Sequence, residues 1–225
     1  MDLESYFEKY RSLVQQVDAV FKQVQEEYGE CVACKVGCSD CCHALFDLTL
    51  IEAMFIKNQF DKVIPEQDRQ KILERANVAD RKVYKLKREA SKAHQEGKPE
   101  NQILEEMAEQ RIRCPLLDDH EKCEMYASRP ITCRLYGIPT AIGGEARTCG
   151  LSKFEEGKQY PTVKLENIQR RLYEISFELA QEIKSRYPKL AEVLVPLSMA
   201  LLTDYNDEYL GIGQSGQKDQ EGKEG

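Results

Sequence analysis

Residues 31–42 read CVACKVGCSDCC, five cysteines in twelve positions set among Lys, Ser, Asp and Gly. Neither the helical period nor strand alternation runs through this stretch, so it should be irregular and folded around whatever its thiols hold. Four further cysteines, Cys114, Cys123, Cys133 and Cys149, fall within thirty-six positions, and none lies between 43 and 113. That second region is broken by Pro115, Pro130, Gly137, Pro139, Gly143, Gly144 and Gly150. Within it only SRPITCRLY (128–136) has helical character, with Ser128 as N-cap and Pro130 in the first turn.

Outside the two cysteine segments the chain is helical. Tyr6, Tyr10, Val14, Val17, Phe21, Val24 and Tyr28 recur at spacings of three and four and predict a helix over 2–28, stopped by Gly29. Thr49 followed by Glu52 has the form of a capping box and opens a helix to Phe60. Residues 66–96 carry a thin apolar stripe of Ile72, Ala76, Ala79, Val83, Leu86 and Ala90, and Pro99 starts a short helix over 99–111. Leu165, Ile168, Leu172, Ile175, Leu179, Ile183 and Tyr187 form one face of a long helix ending before Pro188. Residues 189–204 read as helix with a break at Pro196. No strand pattern of useful length is present.

The expected fold is therefore mostly α: a helical domain with two irregular cysteine-rich metal-binding loops. The expected division is an N-terminal amphipathic helix (1–30), a cysteine-cluster core (31–160), a C-terminal helical part of the same domain (161–205) and a polar, low-complexity disordered tail (206–225).

The chain has 225 residues, with 32 Lys plus Arg against 39 Asp plus Glu, a formal net charge of −7. That balance disfavours a general nucleic-acid binder, because phosphate backbones need clustered cations. The basic run Lys82, Lys85, Lys87, Arg88 and Lys92 is interrupted by Glu89 and reads as a solvated helix face. No apolar run reaches the roughly 18–20 residues of a membrane span, and the acidic start MDLESYFEKYRS is unlike a secretory signal, so the expected location is the cytoplasm. In a reducing cytosol, nine clustered cysteines point to metal or redox chemistry rather than a disulfide framework.

Cys34-x3-Cys38-x2-Cys41-Cys42 supplies four thiols from nine residues, and the downstream set supplies four more if the helices bring the loops together. Four thiolates complete a shell for zinc or an iron–sulfur cluster. Buried inert cysteines are the structural alternative, but the polar neighbours of this cluster do not resemble a core. Adjacent Cys41 and Cys42 are awkward at one tetrahedral ion and fit more easily if they face different centres, or if one is a ligand and the other is not. Nearby cations are expected to balance thiolate charge, with Lys35, Arg129, Arg134 and Arg147 in position. Cys34-x3-Cys38-x2-Cys41 also has the spacing of radical S-adenosylmethionine enzymes. Those set the motif in a βα barrel, and this chain shows no alternation of β and α.

ACKVGCSDCC (33–42) followed by CPLLDDHEKCEMYASRPITCRLYG (114–137) resembles the CxxCxxCC family of zinc- or iron-chelating proteins, also called the YkgJ-type cysteine-cluster family. The resemblance rests on Cys114-Pro115 with Leu117, then Cys123, Tyr126, Arg129-Pro130 and Cys133-Arg134, and spans roughly 33–150. The chain departs from the pattern in its three-residue gap between Cys34 and Cys38 and in Cys31, which lies outside the motif. The resemblance implies a metal centre, a [4Fe–4S] cluster first and zinc second. Its ligands would be drawn from Cys34, Cys38, Cys41, Cys42, Cys114, Cys123, Cys133 and Cys149, as one four-thiolate centre or two. The family includes flagellin lysine N-methylases, so it also implies, as the alternative activity, methyl transfer from S-adenosylmethionine to a protein lysine. A protein substrate or redox partner would follow. Arg129 and Arg134 are expected either to bind an anionic cofactor or substrate, or to tie the loop to a carboxylate. His43 and His120 are expected beside the metal or at the surface, and His94 in solvent.

Overall fold

The computed structural model describes residues 3–35 and 37–213. Its helices are α1 (Glu4–Tyr28), α2 (Leu50–Val63), α3 (Glu66–Gln95), α4 (Glu100–Ala108), α5 (Ile131–Leu135), α6 (Leu165–Glu182), α7 (Leu197–Leu202) and α8 (Asp207–Leu210). Five strands of two or three residues complete it: β1 (Asp47–Thr49), β2 (Thr140–Ile142), β3 (Glu145–Arg147), β4 (Val163–Lys164) and β5 (Leu194–Pro196). The mostly helical class with irregular cysteine loops is thus the observed one.

The core forms around α2, whose Leu50, Ile51, Ala53, Met54, Phe55, Ile56 and Phe60 are all buried. A helix apolar on most of its circumference must be surrounded, and α1, α6 and α7 surround it. From α1 come Tyr6, Phe7, Tyr10, Leu13, Val17 and Val24, the expected stripe with Phe7 and Leu13 added; Val14, Phe21 and Tyr28 pack at its margin. From α6 come Leu172, Ile175 and Leu179. Helix α3, about 45 Å long at 1.5 Å per residue, buries only Ile72, Ala76, Ala79 and Val83. The outer part of its stripe, Leu86 and Ala90, is half-exposed.

Strands β1 and β5 pair antiparallel with Asp47 opposite Pro196. Between β2 and β3, Gly143 and Gly144 both have positive φ (61° and 84°), as a tight two-residue hairpin turn requires. β4 joins β2 in parallel.

Several local expectations are corrected. Thr49 does hold the N-cap position of α2, but its side chain makes no capping bond. Its Oγ1 is buried without a partner, while the backbone N–H of Ile51 is met by Ser176 Oγ of α6 at 3.2 Å. Glu52 turns away from the cap into the core. Ser128 likewise does not cap α5; it closes a 3₁₀ turn (Tyr126–Ser128), and Pro130 precedes the helix. Residues 189–204 are a 3₁₀ turn (Leu190–Glu192), then β5, then α7, rather than a bent helix. Val193, Val195 and Pro196 favour extended backbone, and Pro196 sits at the end of a strand with a single neighbour.

Helix α6 stops at Glu182, short of the expected Tyr187. Lys184 takes a left-handed conformation (φ 51°), and the N–H groups of Lys184 and Ser185 return to the carbonyls of Gln181 and Ala180, a Schellman closure. The segment expected to be disordered from 206 contains α8, capped by Asn206 accepting the N–H of Tyr209 and burying Leu210. The rest of that expectation, 214–225, lies outside the described residues. Among the described residues no helix is long and apolar enough to cross a membrane.

Candidate metal centre

The first cysteine segment leaves α1 through a turn in which the N–H of Cys31 bonds Tyr28 O. Gly37 supplies a left-handed φ of 88°, letting the chain double back so that Cys38 N–H meets Lys35 O. A 3₁₀ turn over Asp40–His43 follows.

Two sets of backbone bonds bring the other cysteines to this loop. Ile112 N–H bonds His43 O at 3.0 Å and Cys114 N–H bonds Cys42 O at 2.7 Å. The chain then folds on itself: Leu117 N–H meets Cys114 O, Leu117 and Cys123 form a bridge, and Glu124 N–H meets Leu116 O. The loop tip is closed by Asp118, whose Oδ1 accepts the N–H groups of His120 and Lys122. Cys133 is carried by α5, and the first N–H of that helix, at Ile131, is accepted by Glu52 Oε1 at 2.8 Å. Cys149 follows β3. Its thiol faces Asp40 Oδ2 at 3.5 Å, and Lys153 N–H ties the same segment to Cys31 O.

The result is one cavity of about 630 Å³ lined by Cys34, Cys38, Cys41 and Cys42 from the first segment and by Cys114, Cys123, Cys133 and Cys149 from the second. Phe21, Leu45, Phe46, Val83 and Ile112 give it apolar walls. Cys31 is outside it, lining a neighbouring cavity of about 680 Å³ that shares the wall formed by Cys34 and Cys38. His43 faces that second cavity with Nδ1 3.1 Å from Ser39 O. His120 and His94 are exposed.

Burial raises most of these thiols above the ordinary range: Cys34 to about 11 and Cys114 to about 12. Cys123 and Cys149 move up for the same reason. Cys41 is the opposite case. Its sulfur accepts hydrogen bonds from the thiols of Cys133 and Cys42, with Arg129 adding a favourable charge, and it is lowered to about 3. Cys133 and Cys42 are pushed up as the donors of that arrangement.

The two arginines separate. Arg129 lies on the cavity wall, its guanidinium 4.1 Å from the Tyr126 ring centroid, and its charge favours the thiolates of Cys34, Cys41 and Cys123. Arg134, by contrast, is buried and committed: Nε donates to Arg129 O, Nη2 to Ala127 O and Nη1 to Asp18 Oδ2 at 2.7 Å. Of the two roles expected for it, the carboxylate tie is present, and Arg134 also lines the cavity beside Arg129. Arg147 stands exposed on β3 near Glu145 and does not line the cavity.

Sequence reasoning missed four residues here. Asp40 receives Arg111 and faces Cys149. Glu52 organises α5, although its place three residues after Thr49 suggested a cap. Asp18 had no local signal for its pairing with Arg134. Gly137 leaves no room for a side chain, since a Cβ there would lie 2.1 Å from Cys34 Sγ.

As the side chains stand, no three His, Cys, Asp or Glu among the described residues are gathered so as to hold an ion. The donor set nevertheless suits thiolate ligation. The backbone N–H of Leu151 bonds Cys149 Sγ at 3.4 Å, and the neighbouring backbone of Leu116, Leu117 and Met125 favours the thiolates of Cys114 and Cys123. Such N–H···S contacts stabilise negative sulfur.

The family model CxxCxxCC, described as "putative zinc- or iron-chelating domain", matches residues 30–150, more than half of the chain and the whole of both cysteine segments. No curated protein and no solved structure matches the chain.

Proposed function

This chain belongs to the CxxCxxCC family, and from that premise we propose that it is a metal-binding protein whose two cysteine segments hold an iron–sulfur centre by thiolates. One observation carries the reading: eight thiols, from segments separated by a long helical insert, line one cavity, while the ninth, Cys31, lies outside.

Eight donors are twice what a single zinc ion or a single iron–sulfur cluster takes, so the surroundings carry the choice between them. The apolar walls and backbone N–H···S contacts supply the low-dielectric, hydrogen-bonded surroundings that stabilise iron–sulfur clusters and set their potential. An iron–sulfur centre supplies one-electron transfer when bound. The chain's own residues provide the thiolates, exclude water through Phe21, Phe46 and Val83, and oppose the thiolate charge with Arg129. A protein redox partner is the corresponding interaction.

Purification without oxygen, followed by iron, zinc and acid-labile sulfide analysis, tests this. Broad visible absorption with sulfide supports it. A colourless, oxygen-stable protein with stoichiometric zinc replaces iron–sulfur by zinc at the same thiols.

A further inference from the structure

The wall between the two cavities is a short stretch of the first cysteine segment, held from the far side by side chains of the second. Among the described residues, Cys34, Gly37 and Cys38 line both cavities, Ser39 and Asp40 line only the second, and Glu121 lines only the thiol-lined one. Ser39 Oγ donates across this wall to Glu121 Oε2 at 2.5 Å, and Glu121 Oε1 accepts Arg113 Nη1 at 2.7 Å. Beside them Arg111 donates to the Asp40 carbonyl at 2.9 Å and to its carboxylate. Glu121 holds a left-handed φ of 58°, which is unfavourable for a residue with a Cβ. The loop that carries it is closed by other bonds: Asp118 N–H to Lys122 O, and Asp118 Oδ1 accepting the N–H groups of His120 and Lys122. The Glu121 carboxylate can therefore let go of Ser39 while its loop stays folded. On the opposite side Gly37, at φ 88° and with open space where a Cβ would stand, can absorb the backbone change of a hinge.

We infer that Glu121 is a clasp on the thiol-lined cavity: while it holds Ser39 the wall is shut, and when it releases, Gly37–Asp40 swings and joins the second cavity to the thiols. The second cavity is then the vestibule through which metal enters and leaves. That metal is what passes rests on the reading above; the clasp itself rests on the bonds across the wall. Glu121 acts as a positioning residue, not a ligand. The side chains of Glu121 and Arg113 are 46% and 42% exposed, so each contact is weak enough to open without unfolding the core.

The test follows zinc leaving the loaded full chain for an excess of a chromogenic chelator. Glu121→Ala and Ser39→Ala should each release zinc about three- to tenfold faster than wild type, with the zinc bound per chain unchanged. The double variant should release no faster than Glu121→Ala, because both changes remove one shared contact. Glu121→Gln, which keeps an acceptor for Ser39, should fall between Glu121→Ala and wild type. Wild-type release rates in both folded single variants would overturn the clasp. A second measurement needs no metal: in the reduced, metal-free chain, iodoacetamide labelling of Cys34 and Cys38, read by mass spectrometry, should be faster in Glu121→Ala. A wild-type chain that binds neither zinc nor iron sinks the metal-binding reading, and this labelling then decides the clasp separately. If circular dichroism shows that the variants have lost helix, wild-type labelling at low and high salt decides: it should speed up as salt screens the Glu121–Arg113 pair, and a salt-independent rate overturns the inference.

Discussion

The Glu52 carboxylate accepts the backbone N–H of Ile131 at 2.8 Å through the same Oε1 that takes the Tyr10 hydroxyl at 2.9 Å. One buried oxygen thus joins three elements: α2 in the centre of the core, α1, and the short helix that carries Cys133. A five-residue helix cannot stabilise itself. Its position, and with it that of Cys133, depends on this acceptor. Replacing Glu52 by Ala leaves two buried donors without a partner and should destabilise the protein by roughly 2–4 kcal/mol. Denaturant unfolding of the metal-free chain measures this, and a change below about 0.5 kcal/mol would show that the contact does not organise α5.

The same residue gives a pH signature. Burial raises the Glu52 carboxyl above its ordinary value, against the opposing effects of Ile131, Tyr10 and Arg134. A carboxyl raised on folding favours the protonated folded state. Its contribution is fully present below the unfolded pKa near 4.5 and is lost as pH rises through the folded value. Glu52→Gln keeps an acceptor oxygen without the charge, so its stability relative to wild type should increase as pH is raised from about 4.5 toward neutrality. Parallel stability profiles for the two proteins would contradict the burial of a charged carboxylate here.

Gly137 tests whether the sulfur positions matter without removing a donor. A Cβ at this position would meet Cys34 Sγ at 2.1 Å and Cys34 Cβ at 3.2 Å. Gly137→Ala should therefore push Cys34 out of the cavity, lower bound metal, and destabilise the loop by about 1–3 kcal/mol. Metal analysis beside a thermal melt separates the two effects. Unchanged metal content would mean that Cys34 is not a ligand.

Much of this was legible in the sequence, for identifiable reasons. Helices α1 and α6 carry stripes of seven and five apolar residues at helical spacing, a signal that needs no tertiary partner. Cys31 was separable from the other eight by motif alone, and the cavity excludes it. What stayed hidden depends on contacts between segments far apart in the chain. Glu52 had the sequence spacing of a capping box, but its acceptor was claimed by Tyr10 and Ile131, 42 and 79 residues away. Asp18 and Arg134 are 116 positions apart and neither carries a local signature. The short strands β1 and β5 exist because the core brings them together, and a three-residue run is too brief to show alternation.

Arg134 and Arg129 should respond differently to substitution. Arg134 uses three nitrogens on three acceptors in a fixed fork, with its side chain 8% exposed against 45% for Asp18. Arg134→Ala should cost about 2–3 kcal/mol, less than a fully buried pair because Asp18 regains water. Arg134→Lys should rescue little, since an ammonium cannot reproduce the fork. Arg129 makes one bond to a neighbouring carbonyl and stacks on exposed Tyr126, so Arg129→Ala should change stability by less than about 1 kcal/mol. Its effect should appear in metal affinity or reduction potential. Equal destabilisation by both would contradict this division of roles.

Metal uptake should be steeply pH-dependent. Cys34 and Cys114, raised to about 11 and about 12 by burial, are protonated at neutral pH in the metal-free protein. A metal ion must displace those protons, so apparent affinity rises with pH, by up to tenfold per unit for each proton released. Competition against a chelator of known affinity between pH 6 and 8, with released protons measured in weak buffer, checks this. The metal-free protein should behave in the opposite sense at high pH. Thiols raised on folding contribute stability that is present below the unfolded value of 9.0 and lost as pH climbs through 11 to 12. Loaded protein holds the same sulfurs as metal-bound thiolates and should not show that loss. A flat affinity profile between pH 6 and 8 would mean that these thiols are already ionised without metal, and that the burial assigned to Cys34 and Cys114 is wrong.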